Sequence, residues 1–530
     1  MNNNEIVQKL WKLCDVLRDD GITYTDYVTE LVLLLFIKME TEQAEAGVTT
    51  HVLPEGCRWQ DITSLTGIKQ YDHYRQMLLD LGKHHDPLLA AIYAGAQTSL
   101  KEPKHLSQLV TRIDELDWFS AREDGLGDLY EGLLEKNANE TKSGAGQYFT
   151  PRPLIDTIVK LMNPQAGETI QDPAAGTAGF LIAAHEFIKA ATDDLYDLSE
   201  DERDFQKRKA YNGMELVPST RRLALMNCLL HGIEGEDDGA IHQGNTLSGE
   251  GAKLPKVELI LSNPPFGTSK GGGGPTRDDL TFETSNKQLA FLQHIYRHLK
   301  PGGRAAVVLP DNVLFEAGVG QKVREDLMHK CNLHTILRLP TGIFYAQGVK
   351  TNVLFFQKGT PENPTQEQNC TKETWVYDMR TNMNTFGKRR PLTEKHFDSF
   401  INAYGIDPNG QSPRTEGVWQ QLGEIESEKA HKENSEQTSD NARWKKFSRE
   451  YIRDTKGDSL DISWLKDLEA TSAENLPEPE VLAGEAMAEL TEAMIEIYQL
   501  MQSLGATDEA EQQTQLLEQA FGLEEKPEVG

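Results

Sequence analysis

Apolar residues in the first 140 positions recur at helical spacing. Ile6, Leu10, Leu13 and Leu17 lie four, three and four residues apart, which stacks them on one face of a helix. A second apolar segment runs from Tyr24 to Met39 and a third helical pattern from Gly127 to Leu134; neither carries a catalytic constellation. Near Glu168 the period changes. Short β-rich runs follow, each closed by Gly or Pro and most of them trailed by a helical pattern: ETIQD (168–172), YNGMEL (211–216), GAIHQG (239–244), VELILSN (257–263), RAAVVLP (304–310), HTILRLP (334–340) and NVLFFQK (352–358). This alternation predicts an α/β domain, a mostly parallel seven-stranded sheet covered by helices. The connection TGIFYAQGVKT has eleven residues and two glycines. That is too short for a helical crossover, so strands six and seven are predicted to be antiparallel.

The pattern dissolves after about residue 400. Residues 424–442 are polar and nearly devoid of apolar side chains, the composition of a linker. A basic, aromatic segment, ARWKKFSREYIRDTK, and then DSLDISWLKD come next. Further on, Met487, Leu490, Met494, Ile497, Met501 and Leu504 are spaced three, four, three, four and three. That is an a/d seam, with Gly505 as a helix stop. Such a helix packs on its own domain or docks on helices of another subunit; its position behind a linker favours docking. The predicted organisation is a helical domain over 1–145, an α/β domain over 146–400, a linker and irregular segment over 401–470, and a helical assembly tail over 471–530.

The length of 530 residues allows about three domains. The longest apolar run, Leu31 to Ile37, is far short of the roughly 20 residues that span a bilayer. The N-terminus, MNNNEIVQKLWKL, lacks the basic, apolar and small-residue regions of a secretory signal. Five cysteines without a CxxC pair fit reduced thiols in the cytoplasm and indicate no disulfide framework and no metal site. The formal net charge of -29 argues against a polyanionic partner. It is unevenly spread. The last 70 residues hold 17 acids against Lys466 and Lys526, whereas 443–456 hold six basic residues against two acids.

The sharpest chemical signal is Asn263-Pro264-Pro265-Phe266, at the C-terminal end of the apolar run VELILS. Ligands of open parallel sheets bind beyond the carboxyl ends of the strands. Two prolines fix φ and remove two N–H donors, which leaves the Asn263 side chain and the Pro264 carbonyl as aimed polar groups beside the Phe266 ring. An amide oxygen and a carbonyl that both accept from one NH2 group, under a stacking ring, suit a planar substrate with an exocyclic amine. The same residues are also good turn chemistry. The second signal is Asp172-Pro173-Ala174-Ala175-Gly176-Thr177-Ala178-Gly179-Phe180, where small residues admit a ligand to the backbone and a helix N-terminus follows. Neither GxGxxG nor a Walker lysine is present, and an acid in the loop repels phosphate but suits a cationic ligand. Glu215 ends the next strand, where an acid accepts from ribose hydroxyls. Asn245 follows the strand after that, placed for an adenine edge.

On these residues the chain resembles the N6-adenine DNA methyltransferases that use S-adenosylmethionine. Gln147-Tyr148-Phe149-Thr150-Pro151-Arg152-Pro153, just before the sheet, is a further marker of that family. Locally, Thr150 is a good N-cap and Pro151 a good N1 residue for the helix LIDTIVKLM. The resemblance implies that this segment, Gln147 to Arg152, wraps the methionine part of the cofactor. It also implies that the Asp172 loop through Gly176, Thr177, Ala178, Gly179 and Phe180, then Glu215 and Asn245, hold the amino acid, ribose and adenine parts. Ala178 stands where a glycine is frequent, and Asn245 replaces the more usual Asp. The acidic stretch TDDLYDLSEDERDFQKRKA between the second and third signals reads as a surface insertion.

The match extends to WKLCDVLRDD, to DLYEGLLEKNANETKSGAGQYFTPRPLI and to the DISWL segment with its helical tail. Over nearly the whole chain it is similar to the modification subunits of type I restriction-modification systems, type IA in particular. That implies a Rossmann-like class I methyltransferase domain over 146–400. It implies an assembly of two modification subunits with one specificity subunit that reads the sequence, a restriction subunit in the full complex, and double-stranded DNA from which this chain flips and methylates an adenine. Two other readings stay open: a protein glutamine N5-methyltransferase, whose substrate is also an NH2 group, and a catalytically idle assembly subunit.

Overall fold

A computed structural model describes residues 3–13, 24–47, 52–116, 118, 126–140, 150–266, 275–344, 349–383, 385–387, 390–417 and 442–465. Leu17 and the seam from Met487 to Leu504 lie outside the described residues, as does the assembly tail as a whole. The N-terminal part is helical, as its periodicity predicts: α1 (Asn3–Lys12), α2 (Tyr24–Glu45), α3 (Trp59–Thr63), α4 (Gly67–Leu81), α5 (Pro87–Tyr93), α6 (Pro103–Asp114) and α7 (Leu126–Glu140). Leu31 to Ile37 of α2 are buried on every side. A run without a polar face marks a helix wrapped by others, not an amphipathic surface helix. Buried Lys38 on this helix is neutralised by Glu42 (2.8 Å) and Asp114 (2.9 Å).

The rest alternates: α8 (Arg152–Met162), β1 (Ile170–Asp172), α9 (Gly179–Ala191), α10 (Glu200–Arg208), β2 (Tyr211–Glu215), α11 (Pro218–Leu230), β3 (Ile241–Gln243), β4 (Val257–Ser262), α12 (Lys287–His298), β5 (Leu299–Pro310), α13 (Asp311–Phe315), α14 (Val319–Lys330), β6 (Cys331–Arg338), β7 (Thr351–Lys358), β8 (Glu373–Asp378), α15 (Asp398–Tyr404) and β9 (Trp444–Ser448). All seven predicted strands form. The strand order is β3-β2-β1-β4-β5-β7-β6-β8-β9. Neighbours from β3 to β5 are parallel, and β7 slots between β5 and β6 antiparallel to both. Alternate residues of a strand serve opposite faces. Leu259, Leu261, Ala306 and Val308 belong to one core, and Ile260, Ala305 and Val307 to the other. The first core is continuous with the N-terminal helices, which pack on α11.

The sheet has nine strands, two more than predicted. β8 runs parallel to β6, and β9 pairs antiparallel with β8. β9 comes from the segment predicted as linker and irregular chain over 401–470. Trp444 is fully buried and stacks on Trp375 at 5.1 Å, Phe447 is buried, and Lys446 pairs with Glu373 across the strands at 3.0 Å. Five residues with two lysines carry too little apolar signal to announce a strand; the edge of β8 supplies what makes them one. The DISWL segment is also held, since Leu460 N–H donates to Leu314 O (2.8 Å) and Ile462 O accepts from Arg338 (2.9 Å). In the acidic insertion, α10 is capped by Ser199 and Glu202 and leaves the end of β2 intact. The described cysteines Cys57, Cys228, Cys331 and Cys370 are free and buried. Among the described residues no helix is long and apolar enough to cross a membrane.

Candidate active site

Strand order reverses between β1 and β4, and there the two strongest motifs meet. Asp172 ends β1, and Ser262, the last residue of β4, donates from Oγ to Asp172 Oδ1 at 2.7 Å. The same oxygen accepts from Ala174 N–H at 3.0 Å. Asp172 is 2% exposed, and burial pushes its carboxyl up to about 7 against the pull of these two hydrogen bonds. Beyond it the loop is fixed from several sides. Ala175 N–H donates to Met214 O (3.0 Å), Gly176 N–H to Glu215 Oε2 (3.1 Å), and Thr177 O accepts from Asn227 (3.0 Å).

Two residues of this loop occupy left-handed backbone. Gly176 has φ +53°, and nothing lies within 4 Å of where its Cβ would be, so the loop has an open concave side. Ala178, the N-cap of α9, has φ +70° and is fully buried. This explains the frequent glycine at that place, since an alanine in this conformation costs about 1–2 kcal/mol. Gly179 lets α9 approach α8, as a Cβ there would stand 3.2 Å from Ile155. The Phe180 ring is buried in the core, so only the backbone of this residue can face a ligand.

Glu215 accepts from Val217 N–H at 2.8 Å through its other oxygen; burial raises its pKa, while the amide hydrogen bonds act the other way. Leu216 and Val217 beside it are 60% and 43% exposed. Sequence reasoning misses this apolar shelf, although two large apolar residues between a strand-end acid and Pro218 are a visible signal. Asn245 is less available than expected. Its amide oxygen accepts from Leu247 N–H (2.9 Å) and its backbone N–H donates to Glu250 (3.0 Å), so that oxygen is engaged in its own turn. The turn is lashed to its neighbours: Thr246 Oγ1 donates to Pro173 O (2.5 Å), and Arg277 donates to Thr246 O (2.9 Å).

Asn263 donates from Nδ2 to Thr150 Oγ1 at 2.9 Å. The planar amide therefore has its NH2 end toward Thr150 and its oxygen directed away. Pro264 is buried, the Pro265 carbonyl accepts from buried Gln288 at 2.9 Å, and Phe266 meets Phe344 edge to face, with centroids 5.8 Å apart at 76°. Nothing in the sequence singles out Gln288 and Phe344; only the tertiary contact marks them. Residues 267–274, which follow Phe266, lie outside the described residues. The chain beyond them is anchored by Arg277, whose buried guanidinium grips Asp279 (2.5 and 2.6 Å).

Gln147, Tyr148 and Phe149 lie outside the described residues. Thr150 is not the N-cap of α8. That place is taken by Pro151, with φ −57° and ψ 134° and no side-chain cap, and the helix begins at Arg152. The prolines at 151 and 153 shift the start by fixing φ on both sides of Arg152, which turns the Thr150 hydroxyl away from the helix end. The Arg152 guanidinium is engaged elsewhere than at the cofactor loops, on Glu131 of α7 and on Asp156 (2.8 Å). Nearby, Asp128, Glu131 and His231 converge. Burial disfavours the imidazolium, but Asp128 and Glu131 raise the His231 pKa above its ordinary value.

Comparison with known proteins gives three family matches. The family model described as N-6 DNA Methylase matches residues 121–446, and that of the HsdM N-terminal domain matches 6–113. A third, for the C-terminal domain of the methylase subunits of type I restriction enzymes, matches 476–519. The chain is 58% identical over 533 aligned positions to the type I restriction enzyme EcoKI methylase subunit of Escherichia coli (strain K12), covering 98% of this chain and 99% of that protein. The StySPI methylase subunit of Salmonella potsdam is similar to the same degree, 58% with the same coverage. Among solved structures, the EcoKI M protein aligns at 53% identity and TM-score 0.58 over 97% of this chain and 99% of that one. A modification subunit of a putative type I restriction enzyme from Vibrio vulnificus aligns at 26% and TM-score 0.61 over 75% and 89%.

Proposed function

The chain belongs to the N-6 DNA methylase family, as a methylase subunit of type I restriction enzymes, and from that premise we propose how its own residues methylate adenine. It is an adenine-specific DNA methyltransferase that uses S-adenosylmethionine, acting as the modification subunit beside specificity and restriction subunits. The observation that carries the proposal is the 2.7 Å hydrogen bond from Ser262 to Asp172, which locks the loop suited to the cofactor against the loop suited to the amine.

The cofactor fits the residues present. The open side of Gly176, the acids Asp172 and Glu215, and the exposed pair Leu216 and Val217 offer, in order, close backbone approach, acceptors for an ammonium and hydroxyls, and an apolar shelf for a flat ring. When bound, S-adenosylmethionine supplies an electrophilic methyl group on a sulfonium. The segment of Gln147, Tyr148, Phe149, Thr150, Pro151 and Arg152 is assigned to the methionine side of this cradle, the described residues Thr150 to Arg152 through their backbone. Asn245 is assigned to its adenine side through groups other than its engaged oxygen.

The adenine amine is a poor nucleophile because its lone pair is conjugated with the ring. Asn263 Oδ1 and the Pro264 carbonyl accept its two hydrogens, which draws the nitrogen toward tetrahedral geometry and frees its lone pair for the methyl group that the cofactor would supply; the proton displaced from the nitrogen would pass to solvent. Pro265 keeps that carbonyl rigid, and Phe266, propped by Phe344, stacks on the base. The base must leave the duplex, at a cost of a few kcal/mol, and stacking returns about 1–3 kcal/mol. Two copies of the chain with one specificity subunit, joined through the 471–530 tail and working in the cytoplasm, complete the proposal. No observation favours glutamine methylation or an idle subunit. The test is transfer of labelled methyl groups from S-adenosylmethionine to DNA by the chain with and without a co-expressed specificity subunit. Transfer to N6 of adenine is expected with the partner; labelling of a protein and not of DNA would overturn the proposal.

A further inference from the structure

We infer that Thr150 is a positioning residue for methyl transfer, acting through Asn263; the inference rests on the reading of Asn263 as the acceptor of the adenine amine. A side-chain amide has two ends of nearly the same shape and opposite hydrogen-bonding character. Only the oxygen can accept from an amine. With the amide turned over, NH2 would face NH2 and the step would lose its acceptor. The Thr150 hydroxyl, 2.9 Å from Asn263 Nδ2, holds the amide in place before the base arrives; a hydroxyl can serve either end, and in the orientation the structure shows it accepts from the NH2 and leaves the oxygen to the amine.

The mount is stiff. Thr150 is β-branched and precedes a proline, so its χ1 and its backbone are both restricted. Pro151 caps α8 without a side-chain bond, which leaves the Thr150 hydroxyl to Asn263 instead of the helix end. Two residues on, Arg152 is clamped by Glu131 of α7 and by Asp156. The hydroxyl is thus fixed to the helical N-terminal part of the chain, and the catalytic loop, 113 residues away in sequence, leans on it.

The test compares Thr150→Val, Thr150→Ala and Thr150→Ser in the chain co-expressed with its specificity subunit, measuring kcat and KM for methyl transfer. Cofactor Kd and the thermal midpoint are measured on the isolated chain. Valine keeps the shape and removes the acceptor; serine keeps the acceptor. The Val and Ala variants should lose about 10–100-fold in kcat, the scale of a misaligned reacting group, with cofactor Kd and thermal midpoint unchanged, and the Ser variant should recover most of it. Wild-type kcat in the Val variant, a Ser variant as poor as the Val variant, or an effect confined to cofactor Kd would overturn the inference. So would loss of folded protein in both the Val and Ala variants, which would make the role structural. If the wild-type complex itself transfers no methyl group to adenine, the reading of Asn263 fails first and the inference falls with it.

Discussion

Replacing Asp172 by Asn tests the electrostatics of the site directly. The substitution keeps an oxygen for Ser262 and Ala174 and deletes the charge, in a residue 2% exposed. The carboxyl ionises near 7 in the folded chain against an ordinary value of 3.8. The folded chain therefore holds a proton that the unfolded chain has released over this range. The resulting stabilisation is complete below about 3.8 and is lost as pH rises through about 7. Integrated between about pH 5.5 and about pH 8, the loss amounts to about 2 kcal/mol. Asp172→Asn has no such proton to lose, so its stability relative to wild type should rise by that amount across the interval. Urea unfolding of both proteins at the two pH values, each without cofactor, reads this difference of differences. In the same pair, cofactor binding by wild type should weaken about tenfold per pH unit below about 7, because the ionised carboxylate is the form that accepts from an ammonium, and Asp172→Asn should bind weakly without that slope. Parallel pH profiles for the two proteins, in stability and in binding, would refute a buried carboxylate that titrates near neutrality beside the cofactor.

Asn263→Ala should lower methyl transfer by at least about 100-fold, the usual effect of deleting an aimed polar group at a reacting atom, while cofactor binding, measured by calorimetry, survives. Arg277→Ala removes a buried guanidinium shared by Asp279 and Thr246 and should cost about 2–3 kcal/mol of stability, seen as a lower thermal midpoint. The isolated chain, at net charge -29, should bind DNA weakly and without sequence preference in filter binding at physiological salt; tight sequence-specific binding by the chain alone would contradict it.

The sequence by itself determined the class of fold and the placement of the chemistry. Short β-rich runs with glycine and proline stops located β1 to β7, and the Asp172, Glu215, Asn245 and Asn263 motifs fell at strand ends because loops at strand ends carry their own turn residues. The short connection TGIFYAQGVKT before β7 also fixed the antiparallel sense of β6 and β7, since its length forbids a helical crossover. What only the tertiary structure decided is which groups share a hydrogen bond. Asn245 is engaged in its own turn, Arg152 is held by Glu131 of the helical domain, Ala178 is held in left-handed backbone, and the Thr150 hydroxyl meets Asn263 instead of capping a helix. β9 likewise becomes a strand only against the edge of β8. Local sequence records the period and the stops of a segment, which depend on near neighbours. A donor and an acceptor on segments a hundred residues apart are paired by packing, and no spacing along the chain encodes that.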